Sequence, residues 1–141
     1  AEEHVDLGAP EGELLERLEA ARREAERRRQ RRLLEEIRER GVRGLEPTLK
    51  ALQEENRVHH LAVLWDLEGE VRWSDAEGLA VTDITAEKSP FSGEPTRVRP
   101  LLDALLELAA SRGARVDLVR DGENARMLRE ELGGVAGLTR F

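Results

Sequence analysis

The chain lacks cysteine and tyrosine altogether, and its only aromatic residues are two Trp and two Phe. Without cysteine it can form neither a disulfide framework nor a thiolate metal site. It also lacks an apolar run near the roughly 18 residues of a membrane-spanning helix, and no signal-peptide pattern opens it. We therefore expect a soluble, cytoplasmic protein that carries no metal and no cofactor.

Charge is abundant, but it is distributed unevenly. Charged residues make up 38% of the chain, and residues 13–40 alone carry ten Arg and eight Glu. The remainder holds the apolar runs, which suffice for one domain of about 100 residues. The formal net charge of −7 gives no general attraction to nucleic acid, so any RNA contact must come from a local basic patch.

Residues 13–40 predict a long helix, since nearly all are strong helix formers and a glycine stands at either end. Two apolar stripes run along it, and the second is turned by about a quarter of the circumference from the first. Because a uniform coiled coil keeps its phase, this break predicts an interdomain helix that packs on two bodies. The stripes consist of Leu14, Leu18, Ala21 and Ala25, and then of Leu33, Leu34 and Ile37.

The long helix divides the chain into three parts. Residues 1–12 predict the tail of an upstream domain, because Gly8 and Pro10 break the chain there. Residues 41–141 predict one domain in which strands alternate with helices, which is typical of an α/β fold. We expect a three-layer α/β/α sandwich with a mixed sheet of about four to five strands.

Within residues 41–141 most elements have clear patterns. Residues 68–69 predict a turn, so that the strands on either side would form a hairpin. Residues 75–98 predict a loop insertion with a short strand near 79–84. The remaining predictions are a helix at 44–56, strands at 60–66 and 70–74, a helix at 99–112, and a final strand, helix and strand within 114–141.

Two aspartates raise the question of a metal site. Asp66 and Asp121 each follow an apolar strand, and ligands of open α/β sheets bind at the carboxyl ends of parallel strands. Paired carboxylates there could hold Mg²⁺ for phosphotransfer or nuclease chemistry. The plainer interpretation, which we favour, is a turn aspartate and a helix N-cap. The neighbours His59 and His60 point to opposite faces of a strand and cannot chelate together.

Other candidate sites also have a structural and a functional interpretation. Gly133 and Gly134 suit a helix end and a turn into the last strand, or a backbone nest for an anion. Trp65 and Trp73 suit the core, or an exposed Trp73 marks a partner surface. An arginine-rich run suits a solvated helix face or contact with RNA phosphates. That run consists of Arg27, Arg28, Arg29, Arg31 and Arg32.

The end of the chain carries a family resemblance. Residues 133–141 read Gly-Gly-Val-Ala-Gly-Leu-Thr-Arg-Phe after a predicted strand and a capped helix. This run resembles the C-terminal signature of the archaeo-eukaryotic peptide-chain release factor family, which includes Pelota. Residues 44–52 and 60–65 resemble the opening of the family's third domain, and 100–119 resemble its later helix and strand. The ordered set covers residues 13–141.

The resemblance implies a third domain, of the bacterial branch, that docks a translational GTPase or the ribosome without chemistry of its own. Two family features are missing: a Gly-Gly-Gln tripeptide, and the zinc-binding cysteines that many bacterial relatives carry at 75–98. Thr139 and Phe141 stand where the family usually has Leu and Tyr. The motif positions, expected to be structural, are Gly44, Gly113, Gly133, Gly134, Arg140 and Phe141.

Three functions follow from these observations. The favoured one is a non-catalytic docking domain of a release-factor-like translation protein, acting in ribosome rescue, termination or dormancy. The second is an RNA-binding module of the kink-turn type, with contacts through the arginine-rich run. The third is a Mg²⁺-dependent phosphotransfer or nuclease domain that uses Asp66 and Asp121.

Overall fold

The computed structural model describes residues 9–140, with side chains from residue 11 onward. Residues 1–8 of the predicted tail, His4 among them, and Phe141 lie outside these described residues. The elements follow in the order α1 (Ala9–Arg40), β1 (Val42–Arg43), α2 (Leu45–Leu49), β2 (Val58–Leu64), β3 (Glu70–Ser74), β4 (Leu79–Val81), β5 (Arg97–Pro100), α3 (Leu101–Ser111), β6 (Arg115–Val119), α4 (Gly122–Glu131) and β7 (Val135–Thr139).

The predicted helices are present, with shifted boundaries. α1 begins at Ala9 and not at residue 13, because Pro10 falls in its first turn, where a missing backbone N–H costs nothing. α2 continues as a π-helical segment over Lys50–Glu54. α3 begins at Leu101, since Pro100 belongs to the preceding strand and ends it.

A mixed four-stranded sheet lies at the centre, in the order β1–β7–β2–β6. β2 runs parallel to β6 and antiparallel to β7, and β7 also pairs with β1. Residues of β2 alternate between two apolar clusters, as the two faces of a strand require. Leu61 and Val63 pack towards α3, whereas Ala62 and Leu64 pack towards α1 and α4. The sheet is therefore covered by helices on both faces, as the sequence predicted.

The predicted hairpin between β2 and β3 is wrong. β3 pairs with β4 and β5 in a separate three-stranded sheet of order β4–β3–β5. Both edges of β2 are taken by β6 and β7, so that β3 must find other partners. Residues Val71 and Trp73 of β3 then complete the apolar cluster around α3.

Side-chain hydrogen bonds, and not zinc-binding cysteines, connect the small sheet to the rest of the domain. Gln53 receives a hydrogen bond from the backbone N–H of Ala80 at 2.8 Å and donates one to its carbonyl at 2.9 Å. The Glu77 carboxylate accepts hydrogen bonds from the hydroxyls of Ser74, Ser89 and Ser92. These serines gather the 75–98 segment around one acidic residue, where the resemblance would have placed zinc ligands.

Two glycines that are far apart in the sequence lie against each other in the structure. Gly44 precedes α2 with φ +87°, and its N–H bonds to the carbonyls of Leu132 (3.0 Å) and Val135 (2.9 Å). Gly133 has φ +78°, and a Cβ added to it would lie 2.9 Å from the Gly44 Cα atom. A side chain at Gly133 would therefore collide with backbone, which a positive φ alone would not cause. Gly134, with φ +85°, donates to the Leu128 carbonyl at 2.8 Å and turns the chain into β7.

Replacing Gly133 by Ala is expected to lower the free energy of unfolding by roughly 2–3 kcal/mol, because a backbone collision adds to the strain of the positive φ. Gly113→Ala is the matched control, since Gly113 has φ +72° but open space where its Cβ would lie. That control should lose only about 1 kcal/mol. Urea unfolding followed by circular dichroism compares the two, and equal losses would contradict the importance of the close approach.

Candidate functional site

A buried carboxylate fastens α1 to the edge of the central sheet. Asp117 lies on β6 and is 7% exposed. It accepts hydrogen bonds from Arg29 of α1 (3.2 Å to Nη1), from Gln30 of α1 (3.3 Å) and from His60 of β2. Gln30 also donates to the Leu118 carbonyl at 3.3 Å. α1 is thus held to β6 through two adjacent residues. Arg29 forms an ion pair with Asp117, and Gln30 donates to the Leu118 backbone.

The electrostatics of this cluster favour the ionised carboxylate. Burial raises the pKa of the Asp117 carboxyl, but hydrogen bonds from His60, Arg29 and Gln30 outweigh burial and hold that pKa well below its usual range. Hydrogen bonds to Asp117 and Glu26 raise the pKa of Arg29. The cluster therefore contains an ion pair between Asp117 and Arg29 at neutral pH, with further hydrogen bonds to the carboxylate from Gln30 and His60.

A second set of contacts fastens α1 one turn earlier, at the carboxyl ends of β2 and β6. Asp121 caps α4 by accepting from the backbone N–H groups of Glu123 (3.2 Å) and Asn124 (3.3 Å). Arg27 Nε lies 3.5 Å from an Asp121 oxygen, and the Asn124 amide donates to the Arg27 carbonyl at 3.0 Å. The predicted N-cap is confirmed, and its carboxylate also pairs with the helix that crosses the sheet edge.

The two aspartates of the magnesium hypothesis have other roles in this structure. β2 and β6 are parallel, as predicted, so both aspartates do follow carboxyl ends of parallel strands. Asp66 lies in the turn after β2, 3.9 Å from Arg129, and Asp121 is the N-cap. Within residues 9–140, no group of three or more His, Asp or Glu is arranged to hold a metal ion. The plainer interpretation of both aspartates is therefore the one the structure supports.

The arginine-rich run does not form one basic surface. Four of its members lie in ion pairs with acidic residues, which leaves little free positive charge for phosphates. Arg32 is exposed, and no ion pair is recorded for it among the described residues. The four pairs are Arg27 with Glu24, Arg28 with Glu24 (3.5 Å), Arg29 with Glu26 and Asp117, and Arg31 with Glu35 (3.3 Å).

Of the two tryptophans, Trp65 and not Trp73 is the exposed one. Trp73 is 1% exposed, so the interpretation of Trp73 as a partner surface is wrong; Arg99 covers its ring at 4.8 Å. Trp65, in contrast, is 50% exposed in the turn after β2. The guanidinium of Arg120 lies 5.7 Å from the Trp65 ring centre, within the range of a cation–π contact.

An open groove of about 560 Å³ extends from Arg120 along α1. Its walls carry both signs of charge, but most of its exposed lining surface is apolar. Because an aromatic ring beside arginines is typical of interaction hot spots, the groove and Trp65 form the candidate docking surface. The groove is lined by Glu19, Arg22, Arg23, Glu26, Arg27, Gln30, Leu118, Arg120 and Asp121.

Sequence reasoning missed the Asp117 cluster, although a signal was present. Asp117 interrupts the apolar strand residues Val116, Leu118 and Val119, and a charge inside a buried strand needs partners. Gln30 likewise interrupts the arginine run. The His59–His60 pair suggests a metal or a base and gives no sign of the contact that the structure shows, in which the His60 ring bonds to Asp117. The backbone N–H of Arg140 donates to the Arg57 carbonyl at 2.8 Å, and the structural role expected of the Arg140 side chain stays a prediction.

No helix in the described part of the chain is long and apolar enough to cross a membrane.

Asp117→Asn is expected to lower the free energy of unfolding by about 2–3 kcal/mol at pH 7, because the amide leaves Arg29 with only Glu26 as a counter-charge. The pKa of Asp117 is depressed on folding, so the carboxylate stabilises the fold above its unfolded pKa of about 4. That stabilisation is lost as the pH falls towards the folded value. The gap between wild type and variant should therefore be constant at about pH 5–7 and narrow below about pH 4.

Chemical unfolding between about pH 3 and pH 7 measures the difference in free energy of unfolding between wild type and Asp117→Asn. Asp75→Asn is the matched control, because Asp75 pairs with Arg97 at 2.7 Å but both side chains are largely in water. We expect little change from that control, since exposed ion pairs contribute little. A loss as large as that of Asp117→Asn, or a gap that stays constant in acid, would contradict the role given to the buried carboxylate.

No protein-family model matches the chain, and no curated protein matches it in sequence. Among solved structures, the chain is similar to the C-terminal domain of a peptide chain release factor from Methanosarcina mazei. The two are 19% identical, the match covers 98% of each chain, and the TM-score is 0.65. This relative is archaeal, so the placement in a bacterial branch stays a prediction. The fold resembles that of a release-factor C-terminal domain, as the sequence motifs implied.

Proposed function

We propose that the chain is a non-catalytic docking domain of a release-factor-like translation protein, which binds a translational GTPase or the ribosome. The observation that carries this proposal is the likeness in fold over 98% of both chains to a release-factor C-terminal domain. The sequence motifs support it independently, because Gly44 and Gly133, from the first and the last of them, pack against each other. A likeness in fold does not fix a function, so binding must be measured.

The polar groups of the domain support docking over catalysis. The carboxylates of Asp117 and Asp121 accept hydrogen bonds from the protein itself, and His60 is engaged by Asp117. The two carboxylates are therefore already used in holding the fold together. The exposed Trp65 beside Arg120, in contrast, is available to a partner without any rearrangement.

Kink-turn-type RNA binding is the alternative. Its support is the groove, into which Arg22, Arg23 and Arg120 contribute positive charge. The acidic residues of the same groove and the ion pairs of the arginine run weaken that support. Binding through phosphates would weaken steeply with added salt, whereas docking centred on Trp65 would depend on salt much less.

Co-sedimentation with ribosomes and pull-down of a purified translational GTPase at low salt test the proposal. We expect Trp65→Ala to weaken the association roughly 30-fold, since an interface hot spot contributes about 2 kcal/mol or more. Phe91→Ala is the matched control, because Phe91 is also an exposed aromatic residue, on the small-sheet side of the domain. That variant should bind as wild type does.

Absence of association with either partner at low salt would remove the proposal. Equal weakening by Trp65→Ala and Phe91→Ala would retain a docking function but move its surface. Binding to naked RNA would favour the RNA alternative if it is abolished by Arg22→Glu with Arg120→Glu in the groove, or by Arg28→Glu with Arg32→Glu in the arginine-rich run. Indifference to both pairs of changes would count against it.

A further inference from the structure

The first half of α1 projects from the domain without a partner in this structure. Every described side chain from residue 11 to residue 26 is exposed, and the first buried side chain of α1 is Gln30. Leu14, Leu15 and Leu18 are 44–59% exposed. Helices shorter than about 12–15 residues are marginal in water, and most helical stability comes from packing of an apolar face. The apolar residues of the projecting half are therefore free to pack against a second surface.

The apolar stripe of this half faces away from the domain. At about 100° per residue, Leu14, Leu18, Ala21 and Ala25 centre roughly 130° from the direction of Gln30 and Ile37, which α1 turns to the sheet. The sheet therefore does not cover the stripe even where α1 passes over the sheet edge. Ala21 and Ala25 are both exposed, although the next turns of the helix already contact Asp121 and Asp117.

The apolar stripe of one copy fits the same stripe of a second copy when the two helices run antiparallel, because large residues then face small ones. In an antiparallel pair centred between Leu18 and Ala21, each leucine faces an alanine: Leu14 faces Ala25 of the second copy, and Leu18 faces Ala21. Large residues opposite small ones interdigitate and let helices approach closely. A parallel pair would instead place leucine on leucine and alanine on alanine, and leave the alanine half loosely packed.

The stripe is also complementary to itself in charge. Residues 11–19 contain four Glu and one Arg, whereas residues 20–28 contain four Arg and two Glu. An antiparallel arrangement places the acidic segment of one copy along the basic segment of the other. Beside the seam, Arg17 faces Glu24 of the second copy, and this pair occurs twice because of the two-fold axis. In a parallel pair, like charges would lie side by side.

We propose that residues 14–25 of α1 pair with the same residues of a second copy of this chain in an antiparallel, two-fold symmetric arrangement. The interface is isologous: each copy offers the same stripe, with leucines over alanines and Arg17 over Glu24. It leaves Trp65 and Arg120 outside the seam, whereas Glu19, Arg22 and Arg23 belong both to the paired segment and to the groove. The inference does not rest on the proposed function, and either can fail without the other.

Sedimentation equilibrium of the full chain measures the pairing. Wild type is expected to be a concentration-dependent dimer, and Leu18→Glu to raise the dissociation constant on the order of a hundredfold, because it buries a charge at the centre of the seam. Arg17→Glu and Glu24→Arg should each weaken the dimer by roughly tenfold. The combined charge exchange should restore it, which a merely misfolded variant would not do.

Arg126→Glu is the matched control. Arg126 forms an exposed i,i+4 ion pair with Glu130 on α4, as Arg17 does with Glu13 on α1. It should dimerise as wild type does. The direction of pairing can be read directly because the chain has no cysteine of its own. Leu18→Cys and Ala21→Cys, oxidised with copper phenanthroline, should cross-link when mixed but not when either is alone.

Three results would overturn the proposal. The first is a wild-type chain that stays monomeric at concentrations on the order of 100 μM, far above the dissociation constants of typical specific interfaces. The second is a dimer that persists unchanged in Leu18→Glu. The third is cross-linking of Leu18→Cys with itself, which would mean parallel pairing.

Discussion

The Asp117 carboxylate lies among the apolar residues Val116, Leu118 and Val119 of β6, and donors from α1 and β2 surround it. β6 is an edge strand of the central sheet, and α1 packs on the sheet face to which Asp117 points. A charge buried at a sheet edge is costly unless its partners are present, so it selects the one position of α1 that brings Arg29 and Gln30 to it. The apolar residues Leu33, Leu34 and Ile37 then fall on α4 and β7.

The opposite end of the domain is organised by backbone and not by charge. Gly44, which precedes α2, and Gly133, which follows α4, approach each other so closely that a side chain on Gly133 would collide with the Gly44 backbone. The same region joins the start and the finish of the domain, since β1 pairs with β7. The resemblance at the two ends of the sequence thus reflects one piece of structure. Its glycines are positions of close packing and need no ligand to explain them.

Much of the fold follows from local patterns. The long helix, the cap at Asp121, the glycines at positive φ and the two-faced strand β2 were predictable because periodicity and backbone preference act within a few residues. The pairing of β3 with β5 was not, since β5 reads Arg-Val-Arg-Pro and carries almost no strand signal of its own. Nor could the sequence decide which tryptophan is exposed, because that depends on which sheet each strand joins. Partners of Asp117 lie 57 to 88 residues away, beyond any local pattern.

α1 is one unbroken helix of 32 residues, about 48 Å long at 1.5 Å per residue, and only its second half rests on the sheet. Its middle turns are held at Arg27, Arg29 and Gln30 by the Asp117 carboxylate, the Leu118 carbonyl and the Asn124 amide. A helix fixed to the domain in this way is rigid. Any structure attached to its exposed half therefore lies at a fixed distance and angle from the candidate docking surface. A rotation imposed on one end must appear at the other, unless the helix itself bends.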